Sequence, residues 1–348
     1  MGMKAAVFHA ARDIRIDTVA DPTIEQPTDA LVRITRATIC GSDLWFYRGV
    51  SQWQPGWRTG HEFIGVVEAV GADVATVRVG DAVVAPFSFS DGTCEFCSSG
   101  LQTSCLHGGF WGGEDNDGGQ AEAARVPWAD GTLVKLPDEL VATDDALAGA
   151  SLLTDVVPTG LHAAVLARVV PGSTAIVIGD GAVGLCAVLG ARRRGAERII
   201  AVGHHADRLA IARQFGATDV VDGKDEDAVQ RLRDMTDGGA PSVLEAVGMQ
   251  SSMEMAVAVT RPGGAVGFVG VPAGVESLNI GPLFRNNIRL NGGVAPARKY
   301  LPELIESLAA GEFDPSPVIS LRLPLAGTPD GYRAMDDRSA IKVLLEVS

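Results

Sequence analysis

Residues 30–37 alternate apolar with polar positions, and 63–70 and 82–86 are apolar, β-branched runs punctuated by Gly and Pro. That pattern predicts the short strands of an irregular β-rich unit. The stretch 88–119 is rich in Gly, Ser, Cys and Asp and has no usable period. A loop of that length inside a compact domain needs something to staple it. From about Val156 the character changes: 174–179 reads as a buried strand, 184–194 as a helix, 198–202 as a strand and 206–215 as a helix. Runs at 220–221, 242–246 and 265–271 add strands, and 228–236 and 252–260 add helices. This βαβα succession predicts an α/β fold with a doubly wound parallel sheet over 156–289. Beyond Asn287 the pattern is mixed again, with a helix at 300–310 and strands at 318–323 and 341–347, a tail expected to rejoin the first unit. The expected organisation is therefore 1–155 with 290–348 as one domain and 156–289 as the other.

A chain of 348 residues is long enough for two domains, each with its own core. Its net charge of −14 and the lack of a basic stripe exclude nucleic acid or an anionic membrane as the main partner. An anionic ligand then needs a locally built site, from helix N-termini and individual basic residues. No apolar run of about 18 residues or more marks a membrane span, and 1–14 lacks the basic-then-apolar pattern of a signal peptide. A cytoplasmic location is expected. Three of the five cysteines cluster, which in such a chain points to metal ligation rather than disulfides.

Gly179-Asp180-Gly181-Ala182-Val183-Gly184 follows a predicted strand and opens a predicted helix, the setting in which this glycine spacing cradles a dinucleotide. Gly179 permits the tight turn, Gly181 the approach of a pyrophosphate, and Gly184 close packing of helix on strand, while the helix N-terminus favours the phosphates. At the end of the second strand an acidic residue would bond the adenosine ribose and repel a 2′-phosphate. Gly203 stands there instead, followed by His204 and His205 and then Arg208, all able to donate to a phosphate. NADP is accordingly expected over NAD. Asp207 is the counter-argument, but next to Arg208 it reads better as a helix N-cap.

Asp91, Cys94, Cys97 and Cys105 place three thiolates and a carboxylate in the unstructured stretch, where a tetrahedral zinc ion would supply the staple. His107 competes with Asp91 for the fourth position. A second set is dispersed: Cys40 in Cys40-Gly-Ser42-Asp43, His61 beside Glu62, and Asp155 just before the dinucleotide domain. One Cys, one His and one carboxylate leave a position open for water or substrate, as a catalytic zinc requires.

With these motifs in this order, and a Thr-Gly at 159–160, the whole chain resembles the zinc-containing medium-chain alcohol dehydrogenases. The resemblance implies a β-rich GroES-like catalytic domain beside a Rossmann domain. It makes Cys40, His61 and Asp155 ligands of a catalytic zinc, with Glu62 an occasional or outer ligand and Asp43 orienting His61 from behind. Ser42 would begin a proton relay from a bound alcohol. Thr159, Val247, Val269, Gly270 and Val271 would line the nicotinamide, and Lys342 would lie near the cofactor pyrophosphate. Two departures stand out: Asp155 takes a place where many relatives have Cys, and Asp91 one where the lobe usually has a fourth thiolate. The implied activity is hydride transfer between a small alcohol or carbonyl compound and a nicotinamide dinucleotide, in a homodimer or homotetramer. A polyol, sugar or formaldehyde-type dehydrogenase and a catalytically silent dinucleotide-binding relative are the alternatives. Trp45, Trp53, Trp57 and Trp111 are candidate walls of a moderately apolar pocket, or else ordinary core or interface residues.

Overall fold

The computed structural model describes residues 2–114 and 116–347. The chain forms two compact units, Met1–Asp155 with Pro296–Ser348, and Val156–Ala295. In the first unit the strands are β1 (Gly2–Ala10), β2 (Asp13–Ala20), β3 (Ala30–Ile39), β4 (Glu62–Val70), β5 (Ala82–Ala85), β6 (Ser88–Phe89), β7 (Gly109–Phe110), β8 (Ala123–Val126) and β9 (Val134–Lys135). The second holds β10 (Thr174–Ile178), β11 (Arg198–Gly203), β12 (Asp219–Asp222), β13 (Ala240–Glu245), β14 (Thr260–Phe268) and β15 (Arg289–Gly292), and the tail adds β16 (Ile319–Pro324) and β17 (Lys342–Glu346) to the first.

The first unit is built on a seven-stranded sheet in the order β16-β17-β3-β4-β5-β9, with β8 also paired to β3. β17 runs antiparallel to β3, Val343 opposite Ile39, so the tail does close the first unit's sheet. The alternation read in 30–37 matches what β3 does: Ala30, Val32, Ile34 and Ala37 are buried and pack with Phe63, Val343 and Leu345 in one core. β1 and β2 form a separate hairpin, a pair that the patterning did not flag. The return to the first unit comes at Pro296, later than the expected residue 290, because β15 pairs in parallel with β14 as the edge of the other sheet.

The second unit is a six-stranded sheet in the order β12-β11-β10-β13-β14-β15, every neighbouring pair parallel. Strands buried on both faces read as apolar runs, and Ala175, Ile176, Val177 and Ile178 of β10 are all buried. The strand order reverses between β10 and β13, and the crevice beyond their carboxyl ends is where such sheets bind ligands. The strand expected over 265–271 ends at Phe268, so 269–271 form the loop after it. The helix expected at 300–310 is Ala297–Ala309 and tolerates Pro302 within it. Among the described residues no single helix is long and apolar enough to cross a membrane.

Candidate metal centres and dinucleotide site

The alternation of β3 ends at Ile39 and hands the chain to Cys40, after which Ser42 starts the short helix Asp43–Tyr47. His61 stands just before β4, and the left-handed Gly60 (φ 94°) turns the chain there: a Cβ on it would sit 2.4 Å from the Gln120 side chain. Asp155 ends the turn Leu152–Thr154. One donor atom from each of Cys40, His61, Glu62 and Asp155 lies within 4.8 Å of the others. Cys40 Sγ is 3.4 Å and His61 Nε2 3.5 Å from Asp155 Oδ2. Four donors around zinc, at about 2.0–2.3 Å each, stand about 3.3–3.8 Å apart in a tetrahedron, so the core of this set fits the ion.

The surroundings orient these groups. Asp43 Oδ1 lies 3.1 Å from His61 Nδ1, which turns Nε2 toward the other ligands. Asp43 Oδ2 accepts the Cys40 N–H at 3.1 Å and the Gln120 amide at 3.4 Å. Gln120 Oε1 in turn accepts the hydroxyls of Thr59 at 2.7 Å and Tyr332 at 2.9 Å. Burial alone would lower the His61 pKa, but the Asp43 charge and the Asp155 and Cys40 contacts outweigh it and hold it well above the ordinary imidazole range. Burial, with the Glu62 and Asp155 carboxylates, pushes the Cys40 thiol up. Carboxylates and a thiol gathered this closely in a buried place are the donor set that a divalent cation takes.

Glu62 opens β4 with its side chain buried, and its Oε2 accepts from the Thr38 hydroxyl and the Lys342 ammonium. Its Oε1 is buried with no partner among the described residues, an acceptor that a bound cation would suit. Lys342, expected near a pyrophosphate, is instead 1% exposed and paired to Glu62 inside the first unit. Burial opposes its charge, but Glu62 outweighs that and raises its pKa. Sequence reasoning missed Thr38, Gln120 and Tyr332; Thr38, one strand period before Cys40, carried a weak signal, and the other two carried none.

Asp91, Cys94, Cys97 and Cys105 form the second group of four, with Cys94 and Cys105 sulfurs 3.8 Å apart. His107, the competitor, stands behind: its Nδ1 is 2.6 Å from Asp91 Oδ2. Asp91 Oδ1 accepts the N–H groups of Thr93 at 2.8 Å and Cys94 at 3.0 Å, and its own N–H donates to Cys105 Sγ at 3.3 Å. Against the cost of burial, the Cys94 N–H and His107 bonds hold the Asp91 carboxyl below the usual carboxylate range. Burial pushes Cys97 up to about 12, while backbone N–H groups of Cys97 and Leu106 lower Cys94. Three thiolates so close coexist readily only around a cation.

In the second unit Gly179 follows β10 at φ 121°, and a Cβ on Gly184 would lie 2.1 Å from the Gly179 carbonyl oxygen, the close packing that the third glycine allows. Gly181 caps the helix Ala182–Arg193, and a Cβ on it would meet nothing within 4 Å. That open space over a helix N-terminus, with Ala182 and Val183 in its first turn, suits a pyrophosphate. Thr159 is buried in the helix Val156–Leu166. Val247 and Val271 are 41% and 49% exposed on the loops after β13 and β14. Glu245, which sequence reasoning missed, ties the first loop down: its Oε1 accepts the N–H groups of Val247 and Gly248, each at 2.8 Å, and the Ser252 hydroxyl at 2.7 Å. The Val269 N–H bonds to the Glu245 carbonyl, and a Cβ on Gly270 would strike the Gly248 nitrogen at 2.2 Å, so the two loops touch.

At the end of β11 the arrangement differs from expectation. The helix Ala206–Phe215 is capped by His205, and Asp207 lies in its first turn. Arg208 is buried, at 8% exposure. Asp180, from the fingerprint itself, reaches across to His204 and His205. The tryptophans also resolve: Trp111 is in the core against Phe63 and Phe89 with Nε1–H donated to the Pro86 carbonyl, and Trp53 stacks on Phe46 at 4.0 Å.

Known proteins match both units. Residues 26–138 fit the alcohol dehydrogenase GroES-like domain, and residues 182–310 the zinc-binding dehydrogenase domain. An uncharacterized zinc-type alcohol dehydrogenase-like protein of Bacillus subtilis is 32% identical over 99% of this chain and 100% of its own, and a sorbitol dehydrogenase of the same organism 32% identical over 99% and 97%. Among solved structures, the alcohol dehydrogenase of Thermus sp. ATN1 superposes with TM-score 0.91 at 35% identity, covering 99% of this chain and 100% of that one. A putative zinc-binding dehydrogenase of Sinorhizobium meliloti, solved with NADP, superposes at 0.85 with 25% identity, covering 99% of each. The chain belongs to the zinc-dependent medium-chain alcohol dehydrogenase family of oxidoreductases.

Proposed function

We propose that this enzyme transfers hydride between a small alcohol, or the corresponding ketone or aldehyde, and a nicotinamide dinucleotide. The observation that carries the reading is the group of Cys40, His61, Glu62 and Asp155 donor atoms, with Asp43 behind His61, in a chain that also carries the glycine cradle of Gly179, Gly181 and Gly184. Zinc held there would supply Lewis acidity toward the substrate oxygen. Cys40 and Asp155 would neutralise its charge, and Asp43, through its contact with His61 Nδ1, would leave Nε2 free to bind it. Ser42, half-buried and with no capping bond from its side chain, would take the proton of the alcohol toward solvent. Asp91, Cys94, Cys97 and Cys105 would hold a second, structural zinc, with His107 fixing Asp91 rather than binding the ion.

The sorbitol dehydrogenase among the relatives supports polyols as a second substrate class. From sequence, Gly203, His204, His205 and Arg208 favour NADP(H); the burial of Arg208 and the reach of Asp180 oppose that preference. The reading includes a cytoplasmic homo-oligomer, supported by cysteines that form no disulfide, four of them in the two candidate metal groups, and by Ile280 and Phe284, 71% and 86% exposed on one helix. Metal analysis of the purified protein, with initial rates on a panel of alcohols, polyols, ketones and aldehydes, tests the proposal. Two zinc ions per chain with turnover of a simple alcohol are expected; one zinc and no turnover on any class would reject it.

A further inference from the structure

The dinucleotide reading leaves open which cofactor the site takes, and the end of β11 carries an answer that the residue at 203 alone does not. In this fold an acidic side chain at the end of the second strand accepts the adenosine ribose hydroxyls and excludes a 2′-phosphate. Gly203 occupies that position, and the lack of a side chain there reads as a lack of the carboxylate. The structure shows otherwise. A Cβ built on Gly203 would stand 2.6 Å from the Asp180 Cβ and 2.7 Å from Asp180 Oδ2. The space beside residue 203 is therefore filled by another carboxylate, supplied by the residue between the first two glycines of the fingerprint. The two placements exclude each other: with Asp180 here, residue 203 has to be glycine.

We propose that Asp180 is the residue that sets cofactor choice, and that it favours NAD(H) over NADP(H). Its Oδ2 accepts the backbone N–H of His204 at 2.6 Å, that of His205 at 3.0 Å, and the His205 ring at 2.9 Å. These are the donors that a 2′-phosphate would need, and an anion already holds them. The His204 ring faces the Asp222 carboxylate at 3.4 Å, so neither histidine is a free positive group. Arg208, the remaining cation expected to serve a phosphate, is 8% exposed and already engaged. Asp180 Oδ1 has no protein donor among the described residues and is left to accept a ribose hydroxyl. Burial works against the Asp180 charge, but the His204 and His205 bonds outweigh it and hold the carboxyl below its usual range, so it stays ionised at neutral pH.

The inference rests on the dinucleotide reading of this unit, and equilibrium binding of NADH and NADPH to the whole protein, followed by nicotinamide fluorescence without substrate, separates the two. The wild-type protein should bind NADH at least about tenfold more tightly than NADPH, and Asp180→Asn, which keeps the shape and removes the charge, should move that ratio about tenfold toward NADPH. Asp180→Ala should move it in the same direction. Tighter binding of NADPH by the wild type overturns the proposal, as does a ratio that both variants leave within about twofold of wild type. If the wild type binds neither dinucleotide, the failure lies with the reading beneath, and the proposal falls with it.

Discussion

Single residues carry two consequences that can be measured directly. Asp43 touches no substrate in the proposed reaction, yet it holds His61 Nδ1 at 3.1 Å and the Cys40 N–H at 3.1 Å. Removal of such a partner commonly costs about 10–100-fold in metal affinity or activity. Asp43→Ala should therefore weaken zinc retention at the Cys40 site by that factor, read as faster transfer of zinc to a chromogenic chelator, with the cysteine-lobe zinc unaffected. Equal retention by variant and wild type would show that His61 is oriented without it. Gly203 gives the second. The familiar exchange at this position, Gly203→Asp, would drive a Cβ into Asp180 at 2.6 Å and test crowding rather than cofactor choice. Gly203→Ala should lower the melting temperature by itself, and the pair Gly203→Ala with Asp180→Gly should recover most of the loss, because the second change vacates the space. Strictly additive losses would mean that the two side-chain positions do not compete.

Elements place these residues, and here the sequence was informative to different depths. The parallel strands were legible because burial on both faces leaves uninterrupted apolar runs, as in β10, and the glycine spacing was legible because Gly179 and Gly184 touch. The ligands were legible as chemistry at short spacing. Gln120 was not, since it lies 77 residues from Asp43 and only the fold brings them together. Tyr332, on the helix Thr328–Asp336, was hidden in the same way, 212 residues from Gln120. Asp180 was in view within the motif, but its effect depends on where the end of β11 packs, which no local pattern encodes. The buried set links that C-terminal helix to the ligand-bearing loops. Tyr332→Phe keeps the ring and takes one of two hydroxyl donors from Gln120 Oε1, so a loss of about 0.5–1.5 kcal/mol is expected in denaturant unfolding. Gln120→Leu removes the acceptor of both hydroxyls and the amide donor to Asp43, leaving Thr59 only the Ala6 carbonyl at 3.3 Å, and should cost more. A Gln120→Leu protein as stable as wild type would show that water replaces the amide.

At the scale of the whole molecule, acid and chelation should act on different parts of the structure. Asp130 fastens the segment before β5: it accepts the Thr76 hydroxyl at 2.6 Å and the Ala75 and Thr76 N–H groups, and these bonds outweigh its burial to hold its pKa below the ordinary value. A carboxyl with a depressed folded pKa stabilises above its unfolded value of about 3.9, and that contribution disappears as pH falls through the folded one. Wild type should therefore melt higher than Asp130→Asn at neutral pH, and the gap should begin to close as pH falls below about 4; a gap that does not change with pH on acidification would mean that Asp130 acts through packing alone. Chelation reaches the cysteine lobe instead. Between Ser88 and Phe110 the chain forms only the two-residue strands β6 and β7 and two short helical turns, and Cys97 and Phe89 are its main buried apolar residues before the core resumes at Trp111. So little apolar burial does not order such a segment, and zinc bound by Asp91, Cys94, Cys97 and Cys105 would supply what is lacking. Cys105→Ser should leave one zinc per chain, lower the melting temperature and open 92–108 to proteolysis, while Cys40→Ser should also leave one zinc, abolish turnover and leave the lobe protected. If both variants instead lose the same protection and the same activity, the two metal groups are not the independent centres that their separate residue sets imply.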